Sequence, residues 1–279
     1  MSIILDGKVA AANIKDRLKH EFSMLKKKAC LAIVYFHDQA SESYLKGRLK
    51  IANELGVEIK IFDVNKEETS QNDLLKLISD LNDDPTIDGI MIDRPLPKCY
   101  NEFEILSTLD SKKDVDGYTP NNLGNLMSNE DCFISCTPGA AKRLIDYYNI
   151  DLTGKNVLVI GRSVNVGKPL SLLLLNANAT VTIAHSKTVN LKEKCRQADV
   201  IFLAIGKANF LKKEDVNENT IIVDIGINFD EFNKLCGDAS KECYEVVKAY
   251  SPVPGGVGVL TNVVLMENLL KACKKNDNL

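Results

Sequence analysis

The sequence predicts an α/β protein of two domains, the second of Rossmann type. Three observations carry this prediction. Short apolar runs alternate with amphipathic stretches from end to end, a glycine-bearing turn (GRSVNVG, 161–167) joins one apolar run to a helix start, and a polar stretch rich in Asp, Asn, Pro and Gly (110–139) parts the two halves. At 279 residues, 45% of them hydrophobic, the chain is near the size at which one core gives way to two.

In the first half, a helix over about Lys8 to Lys27 precedes three runs that read as strands: Cys30 to Phe36, Val57 to Phe62 and Ile87 to Ile92. They are short and rich in β-branched and aromatic residues. Glu42 to Leu55 and Gln71 to Leu81 carry apolar residues at helical spacing between them, giving β-α-β-α-β and hence a parallel sheet. The second half repeats the pattern. Strands are expected at Asn156 to Ile160, Thr180 to Ala184, Val200 to Ala204 and Thr220 to Asp224, with helices over Val166 to Asn176 and Leu191 to Ala198. After the turn SPVPGGVG, a last helix is expected from Leu260 to Lys275.

Composition excludes several classes of function. With 35 Lys+Arg against 38 Asp+Glu the formal net charge is -3, not the basic excess of a protein that coats nucleic acid or an anionic membrane. No apolar run approaches the roughly 18 residues of a membrane span, and the N-terminus lacks a signal-peptide pattern, so a soluble, cytoplasmic chain is expected. The 3 histidines are widely separated, which supplies a histidine-based metal centre or a Ser-His-Asp triad poorly. The 8 cysteines form no CxxC pair; Cys132 and Cys136 are the nearest to one, and the thiols read as reduced core filler rather than zinc ligands.

The turn GRSVNVG has the context that gives such a motif meaning. Gly161 ends a strand where the chain must turn tightly, and Gly167 opens a helix where backbone approaches a phosphate or the neighbouring strand. Ser163 stands at the second glycine position of the full fingerprint, so an ordinary β-α turn stays open as an alternative. NAD-selective folds place a carboxylate about 20 residues on. Here the next strand ends in AHSKT, with His185, Ser186, Lys187 and Thr188 and no acid. Arg162, Ser186 and Lys187 can hold a 2'-phosphate, which favours NADP over NAD.

Polar groups and turn residues also combine in SESYLKGRLK (41–50), DGIMIDRPLP (88–97), KDVDGYTPNN (113–122) and SPVPGGVGVLTNV (251–263). With CTP (136–138), GRSVNVGKP and AHSKT, in this order, the chain resembles the methylenetetrahydrofolate dehydrogenase/methenyltetrahydrofolate cyclohydrolase family from about residue 5 to residue 273. The resemblance implies an N-terminal α/β catalytic domain (1–136), a Rossmann-type NADP-binding domain (137–258), and a C-terminal helix (259–279) that returns to the first domain. It also implies a homodimer with folate bound in an interdomain cleft, no nucleic-acid or membrane partner, and no metal. Hydride transfer from the methylene carbon to nicotinamide would be followed by hydrolysis of the methenyl cation.

By the same resemblance, Tyr44 would stack on the pterin and Asp116 of KDVDG would anchor its amino-pyrimidine edge. Pro254, Gly255 and Gly256 would complete the substrate site, and Gly161, Arg162, Ser163, Val166, Gly167, Ser186 and Ile227 the cofactor site. Three positions depart from the family. Four residues after Tyr44 the family has Lys and this chain has Arg48; Asp93, followed by Arg94, replaces the family's Gln; and Val259 replaces a common Pro. Lys46 and Lys50 lie off the Tyr44 face of a helix and do not substitute for the missing Lys. Arg48 and Asp93 are expected to pair.

Hydride transfer asks mainly for position, whereas cyclohydrolysis also needs a group that handles protons, and guanidinium does not deprotonate. The expectation is a working NADP-dependent dehydrogenase with catalytic residues Tyr44, Arg48, Asp93 and Asp116 and weak or absent cyclohydrolase activity. Two alternatives stand beside it: a bifunctional enzyme with Asp93 as base, and a non-catalytic dinucleotide-binding module.

Overall fold

The computed structural model describes residues 2–37 and 39–276. The structure divides into two compact units: first Ile14–Cys136 with residues from 262 on, and second residues up to 13 with Thr137–Thr261. Strand β1 (Ile3–Ile4) opens the chain in the second of these, and the boundary falls within α1 (Gly7–Ser23).

From there β2 (Cys30–Tyr35), α2 (Gln39–Leu55), β3 (Glu58–Asp63), α3 (Gln71–Asp83) and β4 (Gly89–Ile92) follow as β-α-β-α-β. The sheet is parallel, in the order β3-β2-β4. All six residues of β2 are buried, the signature of a central strand covered on both faces. Helix α3 begins at a capping box in which Ser70 and Asp73 satisfy each other's backbone N–H, and it buries Leu74, Ile78 and Leu81 along one stripe. These join Ala32, Val34, Ile90 and Ile92 in the core of the unit.

Three helices were not anticipated from the sequence: α4 (Glu102–Thr108), α5 (Pro120–Met127), which lies within the polar stretch 110–139, and α6 (Cys136–Tyr147). The first two are fixed by local chemistry. Asn101 caps α4, and Thr119 caps α5 with Pro120 in its first turn.

The chain continues through β5 (Asn156–Ile160), α7 (Gly167–Asn176), β6 (Thr180–Ala184), α8 (Leu191–Gln197), β7 (Val200–Leu203) and β8 (Ile221–Asp224). An antiparallel pair, β9 (Asn228–Phe229) and β10 (Leu235–Cys236), comes next, then β11 (Ala249–Tyr250). The main sheet is wholly parallel in the order β1-β11-β8-β7-β5-β6. The chain runs outward from β5 to β6 and then returns to β7 on β5's other side. This makes the β5/β7 junction the switch point at which open α/β sheets bind ligands.

Residues 2–13, expected in the first domain, instead belong to the second unit. Ile3 N–H donates to the Lys248 carbonyl at 2.9 Å and Leu5 N–H to that of Tyr250 at 2.8 Å. A two-residue strand leaves no periodicity to read. The final helix α9 (Thr261–Asn276) starts two residues later than the expected 259, because a 3-10 turn over Val257–Val259 precedes it; 277–279 lie outside the described residues. It packs in the unit of β2–β4, where Asn268 donates to the carbonyls of Val115 and Ile134, each at 2.8 Å. Among the described residues no helix is long and apolar enough to cross a membrane.

Candidate functional site

The candidate site falls into two sets of residues, one in each unit. In the unit of β2–β4, α2 presents Tyr44 43% exposed and, one turn on, Arg48 only 8% exposed. Asp93 follows β4, its N–H held by the Val34 carbonyl at 2.9 Å, and is 2% exposed. Arg48 Nη1 donates to Asp93 Oδ1 at 2.9 Å, so the expected pair forms and is buried. Lys46 is turned aside to Glu42 at 2.7 Å. The departure at Arg94 is accommodated by an ion pair with Glu102 and by the Tyr118 ring, 4.5 Å from the guanidinium carbon.

Asp116 is set by its neighbours in KDVDG. Asp114 accepts from the N–H of Gly117 at 2.9 Å and of Thr119 at 2.7 Å, and from Asn122 Nδ2 at 2.9 Å, which curls the loop. Gly117 has φ +69°, and a Cβ there would overlap the Phe133 carbonyl, so only glycine fits. Asn268 holds the Val115 carbonyl from α9. Burial pushes the Asp116 carboxyl up to about 6, opposed by a hydrogen bond from the Cys136 thiol and by the cations of Arg48 and Arg94. The same burial, with Asp116 beside it, lifts the Cys136 thiol well above its ordinary range. The sequence marks CTP as a motif but does not assign Cys136 to the Asp116 carboxylate; neither does it single out Asn268, one polar residue on an amphipathic helix.

In the other unit, Gly161 ends β5 with φ +134° against the Ala204 carbonyl, and a Cβ on Gly167 would overlap the Gly161 carbonyl. Both glycines are therefore required by close backbone approach, beside the switch point. Ser163 is not merely a substitute for glycine: its Oγ accepts from the N–H of Val166 at 3.1 Å and of Gly167 at 3.4 Å, occupying the start of α7. Arg162, Ser186 and Lys187 are exposed at the ends of β5 and β6. His185 is drawn into the local turn, its N–H on Thr188 Oγ1 at 2.8 Å and its Nδ1 accepting from Lys187 N–H at 3.2 Å. Ile227 is 47% exposed after β8.

The PVPGGVG turn, expected to serve the substrate, lies in this same unit. Gly7 N–H donates to the Gly255 carbonyl at 2.8 Å, Gly255 has φ +109°, and a Cβ on Gly256 would press on the Pro252 carbonyl. Pro254 is exposed. Of the residues expected to act together, the structure brings Arg48, Asp93 and Asp116 into one buried group and sets Tyr44 on the same helix face as Arg48. Among the described residues no cluster of His, Cys, Asp and Glu could hold a metal ion.

A parallel sheet with its switch point beside a glycine turn, joined in one chain to a second α/β unit with a buried carboxylate group, defines a two-domain protein of the dinucleotide-binding class. Residues 5–116 match the catalytic domain, and residues 135–277 the NAD(P)-binding domain, of tetrahydrofolate dehydrogenase/cyclohydrolase. The chain belongs to this family. It is 41% identical to the bifunctional protein FolD of Agathobacter rectalis, over 99% of this chain and 100% of that one. Among solved structures it resembles the FolD methylenetetrahydrofolate dehydrogenase/cyclohydrolase of Campylobacter jejuni, at 40% identity and TM-score 0.96 over 99% of each chain. The Trypanosoma brucei dehydrogenase-cyclohydrolase, described in complex with NADP and an inhibitor, matches at 26% identity and TM-score 0.93, over 100% of this chain and 99% of that one.

Proposed function

We propose that this chain oxidises methylenetetrahydrofolate to methenyltetrahydrofolate with NADP, as a cytoplasmic homodimer in one-carbon folate metabolism. The observation that carries the proposal is Asp116, a buried carboxyl lifted toward neutrality yet supplied with a thiol donor and two nearby cations. Such a group suits the paired N–H donors of an amino-pyrimidine edge. Tyr44 offers an exposed ring for the pterin face, and Pro254, Gly255 and Gly256 a backbone turn.

The dinucleotide fits the second unit on its own geometry. The Gly161 and Gly167 positions admit no side chain, and the end of β6 carries Ser186 and Lys187, with Arg162 on the neighbouring turn and no carboxylate among them. Arg162, Ser186 and Lys187 would hold a 2'-phosphate, while Gly161, Ser163, Val166, Gly167 and Ile227 would border the rest. When bound, NADP supplies the hydride acceptor. The chain's residues supply position, which is worth several powers of ten in such a transfer.

For the second reaction, the relatives' bifunctional names favour both activities on this chain over the weak or absent hydrolysis expected from Arg48 and Asp93. In that reading Asp93 takes the proton from water and Arg48 fixes its orientation. The weak-hydrolysis reading retains one observation in its favour: guanidinium and carboxylate engage each other in a buried pair, which leaves neither turned to water.

The deciding assay is nicotinamide absorbance with methylenetetrahydrofolate and either NADP or NAD. A signal with NADP supports the proposal; none with either dinucleotide leaves a binding module only. Methenyltetrahydrofolate hydrolysis is then followed in the wild type and in Asp93→Asn. A wild-type rate comparable with dehydrogenation, lost in the variant, supports Asp93 as base, and a negligible wild-type rate overturns bifunctionality. Sedimentation at micromolar concentration checks the dimer.

A further inference from the structure

Outside the residues already discussed, the most densely connected polar group in the second unit is a pair of buried aspartates behind the C-terminal ends of β7 and β8. Asp238, fully buried, accepts four hydrogen bonds. Its Oδ2 takes the N–H of Ile205 at 2.9 Å and of Gly206 at 3.2 Å; its Oδ1 takes the N–H of Lys207 at 2.7 Å and Asn228 Nδ2 at 2.9 Å. Three successive N–H groups around one carboxylate form an anion nest, here filled by the protein's own side chain. Asp224 holds Asp238 in turn, accepting from the N–H groups of Gly226, Asp238 and Ala239 at 3.0, 3.0 and 2.8 Å. A Cβ on Gly226 would collide with the Asp238 carboxylate, and one on Gly237 with that of Asp224. The fit leaves no slack.

What this group fixes is two loops. Residues 205–207 follow β7, whose last neighbour, Ala204, backs the phosphate turn through Gly161. Residues 226–228 follow β8 and carry Ile227, whose Cδ1 lies 3.9 Å from where a Cβ on Gly258 would stand, against the PVPGGVG turn. Both loops are at the sheet edge where a dinucleotide binds. We propose that Asp238 is a positioning residue for the dinucleotide: without touching it, the carboxylate locks the 205–207 and 226–228 loops to one another and so sets the wall against which the cofactor is placed. The inference rests on the NADP reading above and adds a specific residue to it.

Asp238→Asn tests it, because an amide turns one acceptor oxygen into a donor that faces N–H groups. NADP affinity is measured by titration calorimetry, beside the KM values for NADP and for methylenetetrahydrofolate. The expected result is an NADP Kd weakened about tenfold or more, with kcat at saturating NADP and the folate KM within about twofold of wild type, as loss of pre-positioning predicts. A lowered melting temperature with unchanged NADP Kd overturns the proposal, since a merely structural role moves only the first. Should Asp238→Asn fail to fold, Asn228→Ala, which removes one of the four bonds, decides: an NADP Kd weakened about threefold supports the proposal and an unchanged Kd overturns it. Wild-type protein that binds no NADP removes the dinucleotide reading itself, whereas normal wild-type binding with unaltered variants removes only the role of Asp238.

Discussion

Cys136 makes the sharpest residue-level prediction. Burial pushes the neighbouring Asp116 carboxyl up to about 6, a rise that the Cys136 thiol opposes, since a donor to the charged form lowers a carboxyl's pKa. Cys136→Ala is therefore expected to move Asp116 further up. If folate binding needs the carboxylate, the acid limb of the folate KM profile shifts to higher pH in the variant, while Cys136→Ser keeps a donor and stays near wild type. An unshifted limb in Cys136→Ala removes the thiol from the site. The Arg48–Asp93 pair makes a second prediction, about stability. Removing one partner leaves the other charged and buried, which costs about 3–5 kcal/mol, whereas replacing both by apolar side chains is often close to neutral. Asp93→Leu is expected to melt well below wild type and Arg48→Met/Asp93→Leu to recover most of the difference. Tyr44 and Asp116 were singled out through the family resemblance that their motifs carry, and the Arg48–Asp93 pair through two departures from it, a pairing that the structure forms. Cys136 as a partner was not, because hydrogen bonding between residues of two separate motifs leaves no periodic trace.

At the scale of elements, the strands and long helices were legible and the short pieces were not. β2, β5, β7 and β8 announce themselves as apolar runs because both faces are buried. β1 and β11, two residues each, are defined by pairing with distant strands, which no local window contains. α4 and α5 lay hidden in polar sequence; their caps, Asn101 and Thr119 with Pro120, were the available signal. α9 was predicted almost to the residue, but its role in the site depends on Asn268. Asn268→Ala frees the carbonyls of Val115 and Ile134 in a buried setting, at a cost of about 1–3 kcal/mol. The variant is expected to raise the folate KM and leave the NADP Kd unchanged. An equal loss of both affinities would make α9 a general prop rather than a support for the Asp116 loop.

For the whole molecule, pH sets a stability gradient of definite sign. Burial pushes Asp224 up to about 7, against the N–H groups of Ala239 and Asp238 and with the Asp238 carboxylate adding to the rise. An unfolded aspartate ionises near its ordinary value, so between about pH 4 and pH 7 the native state binds more protons than the unfolded one, and stability from this group falls as pH rises. Asp116 acts in the same direction. Glu21 and Asp131, held low by hydrogen bonds from Lys274 and from Lys271 and Lys275, act in the opposite direction at the acid end. The melting temperature is thus expected to decline from about pH 5 to pH 7, and Asp224→Asn to show a shallower decline from whatever value it starts. A parallel decline in both proteins would locate the gradient elsewhere.

The same architecture bears on how the protein is made. Ile3 pairs with Ala249, and Asn268 secures Val115, so each unit is completed by sequence from the other end of the chain. A ribosome delivers Ile3–Ile4 more than 200 residues before their partner strand, and the Asp116 loop emerges long before the helix that supports it. Neither unit can close until its distant segment has emerged, and division of the gene between Cys136 and Thr137 would yield one fragment without α9 and another without β1.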